Sequence, residues 1–413
     1  MEEYKRLEVH WYGIVLLRTR RFHALMDRLG HYRISKPAGW FLTYLMPVAA
    51  AIGLFVFLSN LGILFSPRGQ EVASYVRTLS PLGNLGLPGI NPYLPIADGW
   101  FALIVGLIVH EGAHGVVARS LGLPVKSSGL VFFVVLPIGA FVEVDEDALK
   151  VAKASQSGRV LASGAGINLL VGVVCLLLLF GTVSAMKPKV DGIAVAALYP
   201  NYPAAQHGIK PGDFITAVNG VPIDDPSVVN SSSWYEPGQV INITIWRAGT
   251  YMQIDNVTLG SITLNDTRTG ALSTRAFLGI ADLGHSDLTA LVSTYTGSFF
   301  TRPSLYLCIP TLPNCQGLVP FSDSNSIFYS SSYGASLAPL ANVLYWLFFI
   351  NFNLAIFNSL PIYPLDGGQV FGVAVKALAG GRLSEKSLSR IVSLASVLVL
   401  AVLLTVVFGP YFI

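Results

Sequence analysis

The stretch IVHEGAH at residues 108–114 places two histidines and a glutamate inside a long apolar run. Between Asp98 and Arg119 the only formally charged side chain is Glu111. On a helix, His110 and His114 lie four residues apart on one face, with about 5–6 Å between their Cβ atoms. This spacing lets both imidazoles reach one tetrahedral Zn²⁺, and Glu111 stands where it can accept a proton from a water activated by the metal.

The apolar surroundings decide between a metal site and a chance pair of histidines. His-x-x-x-His pairs arise by chance, and on a soluble helix such a pair is weak support for a metal. A carboxylate near the centre of a bilayer costs about 2.5–3.5 kcal/mol on insertion scales. The chain has seven histidines, and only the two of this motif lie in a predicted span. We therefore interpret the stretch as a zinc motif suited to peptide hydrolysis within the membrane.

The composition indicates a membrane protein. Of the 413 residues, 53% are hydrophobic and only 12% are charged, whereas a soluble domain carries roughly 25% charged residues. The net charge of +3 is small and unevenly spread, which does not suggest a nucleic-acid partner. We expect a polytopic α-helical protein of about five to six spans in contact with the lipid bilayer, with no cleavable signal peptide in residues 1–36.

Five apolar stretches are long enough to cross a bilayer, which takes about 20 residues. They lie near residues 40–65, 100–121, 160–185, 337–360 and 391–412. A shorter apolar piece at 370–379 predicts a half-span or an interfacial helix. Residues 130–142 are too few for a spanning helix and rich in β-branched side chains, so they predict a re-entrant hairpin held against protein.

The charge distribution predicts the orientation. Eight Lys and Arg residues in segment 1–36 place the N-terminus in the cytoplasm. Alternation through the spans then puts residues 186–336 outside, in a multi-pass protein of the cell membrane. Four Asn-x-Ser/Thr sequons agree with that side, at Asn230, Asn242, Asn256 and Asn265. The alternative is that these sequons are chance matches in an Asn/Ser/Thr-rich region.

Between the third and fourth spans the pattern changes to short strands and turns. Strands are predicted at 192–198, 214–218, 240–246, 251–259 and 276–280, with a tight turn at Asn219-Gly220 and a helix near 226–235. This order, with the run PAAQHGIKPGDFITAVNG at 203–220, resembles a PDZ domain in the circularly permuted form of bacterial proteases. Such domains bind extended peptides or chain ends by strand addition; the alternative is a module that only shields or spaces. His207 is expected on the surface.

The cysteines and prolines characterise the segment after this domain. Residues 286–336 contain several prolines and predict an irregular linker. Cys308 and Cys315 lie in this loop and could close a small disulfide on an oxidising side of the membrane. Cys175 lies in a Leu-rich span, where we expect it to pack.

The second membrane half contains a candidate third ligand, since a catalytic zinc uses three protein ligands. Between Asp323 and Lys376 the only charged side chain is Asp366, within NSLPIYPLDGG at 358–368. The two prolines interrupt helical hydrogen bonding, and the two glycines let backbones approach closely. Such a broken segment is tolerated at membrane depth where it lines a cavity. The alternative for Asp366 is an ordinary turn or helix cap.

The two motifs together resemble the site-2 protease family of intramembrane zinc metalloproteases. The segments GAFVE at 139–143 and GAGIN at 164–168 also resemble family elements, although Ala165 stands where the family often has Pro. The resemblance implies zinc bound by His110, His114 and Asp366, with Glu111 as the catalytic base. Asn168 and Asn358 become candidates for binding the substrate or the oxyanion; the alternative is that these buried amides join helices.

We expect five regions along the chain and one class of substrate. These regions are a cytoplasmic segment 1–36, a first membrane half 37–185, an extracytoplasmic α+β PDZ-like domain 186–285, a linker 286–336 and a second membrane half 337–413. The substrates would be transmembrane segments of other proteins. A metal-ion transporter or sensor would explain the histidines and Asp366, but it does not explain Glu111 beside His110. An inactive scaffold presenting the PDZ-like domain would need a lost motif residue, and all are present.

Overall fold

A computed structural model describes residues 7–10, 13–19, 21–78, 83, 88–134, 136–223, 235–265, 272–380 and 382–412. The chain divides into two compact units. The first comprises Met1–Leu177 together with Val343–Ile413, and the second is the intervening Leu178–Asn342.

The helices of the described part are numbered in chain order. They are α1 (Arg21–Gly30), α2 (Ser35–Leu64), α3 (Gly69–Thr78), α4 (Ile96–Ser120), α5 (Glu146–Val151), α6 (Ala154–Ser184), α7 (Pro203–Gln206), α8 (His285–Gly297), α9 (Pro313–Gln316), α10 (Asp323–Ser326), α11 (Leu337–Ser359), α12 (Asp366–Ala379) and α13 (Glu385–Phe408). Short 3₁₀ turns lie at Pro303–Leu307, Gly334–Ser336 and Gly409–Tyr411.

The strands fall into two sheets and two small pairs. They are β1 (Leu7–His10), β2 (Ile14–Arg18), β3 (Val125–Phe133), β4 (Leu136–Val144), β5 (Lys187–Pro188), β6 (Ile193–Leu198), β7 (Phe214–Val218), β8 (Val221–Pro222), β9 (Val240–Arg247), β10 (Thr250–Thr258), β11 (Gly260–Asn265), β12 (Leu272–Phe277), β13 (Ile280–Leu283) and β14 (Tyr329–Ser330). The pairs are β11 with β12 and β5 with β14.

Among the helices of the described residues, five are long and apolar enough to cross a membrane: α2, α4, α6, α11 with the turn before it, and α13. They coincide with the five predicted spans, which are therefore confirmed as helices of spanning length. The short apolar piece predicted at 370–379 belongs to α12, which begins earlier at Asp366. Its 14 residues rise about 21 Å at 1.5 Å each, which is shorter than the roughly 30 Å hydrocarbon core.

Small residues set the spacing of α2, α6 and α11 in the first unit. Ala49 of α2, Leu169 of α6 and Ala355 of α11 form one buried cluster. Gly166 faces the backbone of Leu42 so closely that an added methyl group would overlap the Leu42 carbonyl. Close helix contacts of this kind are typical of membrane bundles, because lipid supplies no hydrophobic driving force between helices and packing must replace it.

The first unit also contains a four-stranded antiparallel sheet in the order β1-β2-β3-β4. The hairpin predicted at 130–142 is present as β3 and β4, which pair from Val125 opposite Val144 to Phe133 opposite Leu136 with two register shifts. Its re-entrant position in the membrane stays a prediction. The two N-terminal strands were not predicted, because segment 1–36 reads as a charged tail. Strand β2 pairs with β3 across more than a hundred residues, and no local pattern reports a partner that distant.

The second unit contains a sheet in the order β10-β9-β7-β6-β13, with β8 on β7. Four of the five predicted strands agree within a residue or two. The fifth, predicted at 276–280, is wrong in its extent, because the chain breaks at Gly279 (φ +89°) and forms β12 before it and β13 after it. Asn219 and Gly220 have φ of 50° and 75°, as a hairpin turn requires. The helix predicted near 226–235 lies mostly outside the described residues.

Asp213, which follows Gly212 in the second unit, forms a buried ion pair. Asp213 is 1% exposed, and its two oxygens accept hydrogen bonds from Arg247 Nε at 2.7 Å and Nη2 at 2.6 Å. The bidentate geometry orients both side chains. Asp213 therefore has a structural role, while His207 is exposed as expected.

Segment 286–336 is more ordered than its prolines predict. It contains most of α8, followed by short helical turns. Tyr295, Tyr306 and Phe321 are almost fully buried, and the ring of Tyr295 contacts each of the other two edge to face. Cys308 and Cys315 form a disulfide. The aromatic cluster gives this short segment a core, which a count of prolines does not reveal.

Candidate metal centre

Helix α4 presents both histidines of the motif to the interior of the first unit. His110 and His114 are 6% and 8% exposed, and their rings lie edge to face with centroids 4.9 Å apart. Glu111 is half-buried, next to them along the helix. The two imidazoles therefore lie on one face of the helix, as predicted.

Asp366 reaches the same point from the second membrane half. Its Oδ2 lies 3.0 Å from His110 Nε2 and 3.2 Å from His114 Nε2. The three residues form a group whose potential ligand atoms all lie within 4.8 Å of one another. The sequence separates Asp366 from His110 by more than 250 residues, so only the fold of the first unit brings them together.

The loop before α12 determines where Asp366 lies. Helix α11 ends at Ser359, and the chain folds back on itself so that α12 begins at Asp366. Methyl groups added at Gly367 or Gly368 would overlap the backbone of residues 359–363. Ser396 of α13 accepts a hydrogen bond from the Tyr363 N–H at 2.9 Å. The two glycines therefore permit the tight return of the chain.

The second nitrogen of each histidine contacts an acceptor on α6. His110 Nδ1 lies 2.6 Å from Asn168 Oδ1, and His114 Nδ1 lies 2.7 Å from the Val160 carbonyl oxygen. Because both partners accept, each Nδ1 must carry the proton. In the neutral imidazole each Nε2 then carries the lone pair and faces Asp366, which is the tautomer that a metal ligand requires.

Two imidazole nitrogens and one carboxylate oxygen therefore converge, and all three are electron-pair donors when both imidazoles are neutral. Within the described part of the chain, Asp366 Oδ2 is buried and has no hydrogen-bond partner besides these two imidazoles. Ligands bound at about 2.0–2.1 Å in a tetrahedral zinc site lie roughly 3.3 Å apart, close to the separations of Asp366 Oδ2 from the two Nε2 atoms. Two imidazoles and one carboxylate match the three-ligand sets of catalytic zinc. The residues present fit zinc.

Glu111 lies beside strand β4 and an apolar cavity. Its Oε2 accepts a hydrogen bond from the Val142 N–H at 2.9 Å. The cavity has a volume of about 460 Å³ and is lined mainly by apolar side chains of α1, α2, α4, β3 and β4. Glu111 is the one ionisable residue among its described lining residues. A carboxylate thus faces a space large enough for an apolar peptide segment.

The nearby Glu143 belongs to a separate polar cluster. It accepts hydrogen bonds from Ser127 and from Arg18, whose guanidinium also contacts Glu8. The hydrogen bond from Ser127, followed by the one from Arg18, outweighs the effect of burial and holds the pKa of Glu143 below its usual range. Glu143 links β4 to the unpredicted strand β2 and is not among the groups that converge on the metal centre.

The two predicted asparagines differ in their surroundings. Asn168 contacts His110 directly, while the Asn358 amide donates to the Leu354 carbonyl one turn back at 3.1 Å. A third asparagine, Asn351, is fully buried and accepts a hydrogen bond from Asn168 Nδ2 at 2.8 Å. Asn351 was not predicted from the sequence. In the sequence Asn351 is a polar residue in an apolar span. Asn353 and Asn358 have the same property, so the sequence does not distinguish Asn351 from these two residues.

Gly164 of α6 faces the metal centre, and its replacement tests the space there. A methyl group at this position would lie 2.6 Å from His110 Nε2 and closer still to His114 Nε2. We expect Gly164→Ala to weaken zinc binding by roughly 5- to 150-fold, since overpacking costs about 1–3 kcal/mol. Competition with a chromophoric chelator measures the affinity.

Gly158 provides the matched control on the same helix. A methyl group there would meet nothing within 4 Å. Gly158→Ala should therefore keep the wild-type zinc affinity, with a helix stabilised by about 1 kcal/mol. Equal zinc affinities for the two alanine variants would contradict the close approach of α6 to the histidines.

The chain resembles known proteins over most of its length. The model of peptidase family M50 matches residues 99–403. An uncharacterised protein of Methanocaldococcus jannaschii is 25% identical over 362 residues, covering 86% of this chain and 76% of that protein. The zinc metalloprotease RasP of Shouchella clausii is 25% identical over 209 residues, covering 50% and 48%. The probable protease eep of Enterococcus faecalis is 23% identical over 423 aligned positions, covering 92% and 94%.

Proposed function

The chain belongs to peptidase family M50 and is a multi-pass intramembrane zinc metalloprotease, and we propose that His110, His114 and Asp366 hold its zinc while Glu111 transfers protons. The observation that supports this assignment best is the convergence of two buried imidazole Nε2 atoms on one buried oxygen of Asp366. A transporter would need the same ligands but has no use for a base beside His110. Family membership does not favour it.

The proposed reaction is hydrolysis of a peptide bond in a substrate's membrane segment. Zinc, when bound, supplies a Lewis acid that polarises the scissile carbonyl and lowers the pKa of water. Glu111 removes a proton from the attacking water and then delivers it to the leaving amine. The Val142 N–H holds one oxygen of Glu111, which leaves the other oxygen for this proton. Zinc content and cleavage of a transmembrane test substrate by the purified chain test the assignment.

Strand β4 is the proposed docking edge for the substrate. A helical segment hides its carbonyls in its own hydrogen bonds, so it must unwind before it can be cut. Strand β4 ends its sheet, and among the described residues no further strand pairs with it. An unwound segment can add to such an edge, and the cavity beside Glu111 would receive its apolar side chains. This arrangement favours substrates whose membrane segments unwind easily.

We propose that residues 186–336 lie outside the cell membrane and that the N-terminus is cytoplasmic. The support is the charge bias of the loops and the exposure of two sequon residues, Asn242 and Asn256. A membrane-impermeant thiol reagent should label Lys187→Cys in intact cells, because that position is exposed. The exposed Lys153→Cys should react only after permeabilisation. The reverse pattern would overturn the orientation.

We further propose that the sheet domain of the second unit is PDZ-like and regulates access. Its strand β13 lies at the end of the sheet, where an extended peptide or chain end can add. No residue assigned to zinc or proton transfer lies in it. Deleting residues 191–284 and bridging with a flexible linker should preserve zinc binding and cleavage of a short substrate, while discrimination between short and long ectodomains weakens. A folded, zinc-loaded deletion variant that cuts nothing would refute the regulatory role.

A further inference from the structure

A line of buried amides leads from α11 to the metal centre. Asn351 Nδ2 donates to the Leu347 carbonyl at 2.8 Å. Asn168 Nδ2 donates to Asn351 Oδ1 at 2.8 Å and to the Gly106 carbonyl at 3.0 Å. Asn168 Oδ1 then lies 2.6 Å from His110 Nδ1. Both asparagines are 0% exposed, so these contacts are not shared with bulk water.

The hydrogen bonds of this line all run in one direction. A backbone carbonyl only accepts, so Leu347 fixes the amide nitrogen of Asn351 and turns its oxygen toward Asn168. Two acceptors, that oxygen and the Gly106 carbonyl, then hold the amide nitrogen of Asn168. The remaining Asn168 oxygen must face His110 and accept from Nδ1–H. The Nε2 lone pair of His110 is thereby directed toward Asp366.

The two histidines differ in how their tautomer is secured. His114 donates to the Val160 carbonyl, a main-chain group of α6 that cannot exchange its oxygen for a donor. His110 relies on a side-chain amide, whose oxygen and nitrogen are nearly equal in size and can exchange places by rotation. A rotated Asn168 would present N–H groups to Nδ1 and favour the His110 tautomer that cannot bind metal. His110 therefore needs a second residue to orient its partner.

We propose that Asn351 is a positioning residue that acts through Asn168 to hold His110 in its metal-binding tautomer. The inference rests on the proposed zinc site and adds a residue from α11, a helix that supplies no ligand. Neither asparagine touches the substrate in this role, which replaces the substrate-binding or oxyanion role considered for Asn168. Changes in such outer hydrogen bonds typically cost 10–100-fold in metal affinity.

The decisive variant is Asn351→Leu, measured in two backgrounds. In the wild-type background it removes one of the two acceptors that orient Asn168 and leaves only the Gly106 carbonyl, and we expect zinc affinity to fall about 10-fold or more. In the Asn168→Asp background both oxygens of residue 168 accept, so rotation cannot present a donor to His110. There Asn351→Leu should change zinc affinity less than about threefold, a nonadditivity that a double-mutant cycle measures.

Asn353 supplies the control on the same helix. It is half-buried, and its amide donates to the Phe349 carbonyl one turn back at 2.7 Å. Asn353→Leu should leave zinc affinity within about twofold of the wild type. Chelator competition on purified, folded protein gives the affinity without relying on cleavage.

The outcomes separate this proposal from the zinc assignment itself. A wild-type chain without zinc would overturn both. If the wild type binds zinc but Asn351→Leu lowers zinc affinity by the same factor in both backgrounds, the positioning role is refuted. A packing defect would lower the affinity equally whether residue 168 is Asn or Asp. Loss of affinity in Asn351→Leu that disappears in the Asn168→Asp background would establish it.

Discussion

Replacing Glu111 with Gln is expected to lower cleavage by about 10²–10⁴-fold while zinc stays bound. Gln keeps the size of the side chain and an oxygen that can accept from the Val142 N–H, so the local structure should persist. It has no carboxylate to remove a proton from water. Glu111 is also outside the group of atoms that converge on the metal centre, so the zinc content should remain about one per chain.

The measurement pairs zinc analysis with cleavage of a transmembrane test substrate in detergent. Glu146→Gln is a suitable control, since Glu146 is an exposed residue of α5 that pairs only weakly with Lys150 at 3.2 Å. That variant should cleave at the wild-type rate. Turnover by Glu111→Gln at a similar rate would rule out the assigned base and with it this protease mechanism.

The double variant His110→Ala, His114→Ala is expected to lose zinc entirely. It removes two of the three donors and leaves Asp366 alone, and one carboxylate does not make a three-ligand site. Zinc content should fall from about one per chain to a level near zero after dialysis, and cleavage should be undetectable. The effect is larger than that of Gly164→Ala, which crowds the ligands but retains them.

Two histidines of the second unit provide the control for this experiment. His207 is exposed, and His285 is 40% exposed beside Asp191. The variant His207→Ala, His285→Ala should keep about one zinc per chain and wild-type cleavage. Retention of stoichiometric zinc by the His110, His114 variant would show that the metal binds elsewhere.

Local patterns in the sequence determined the five helices of spanning length, the hairpin of β3 and β4, and four strands of the sheet in the second unit. The five spans follow from runs of apolar residues, because each must cover the hydrocarbon layer by itself. The histidine pair follows from helical spacing, which places both imidazoles on one face wherever the helix lies. Asp366 was predicted because a lone charge in an apolar segment is costly. These predictions needed no knowledge of how the helices pack.

Tertiary structure decided which side chains meet. Strands β1 and β2 join a hairpin more than a hundred residues away, and Arg18 there contacts Glu143. Asn351 resembles Asn353 in sequence, yet only Asn351 contacts the amide that holds His110. In the sequence Gly164 looks like any other glycine of a helix, and only the packing of α6 against α4 places it next to the two imidazoles. Local patterning selects secondary structure, but the approach of backbones and the direction of buried hydrogen bonds depend on distant partners, which local periodicity does not encode.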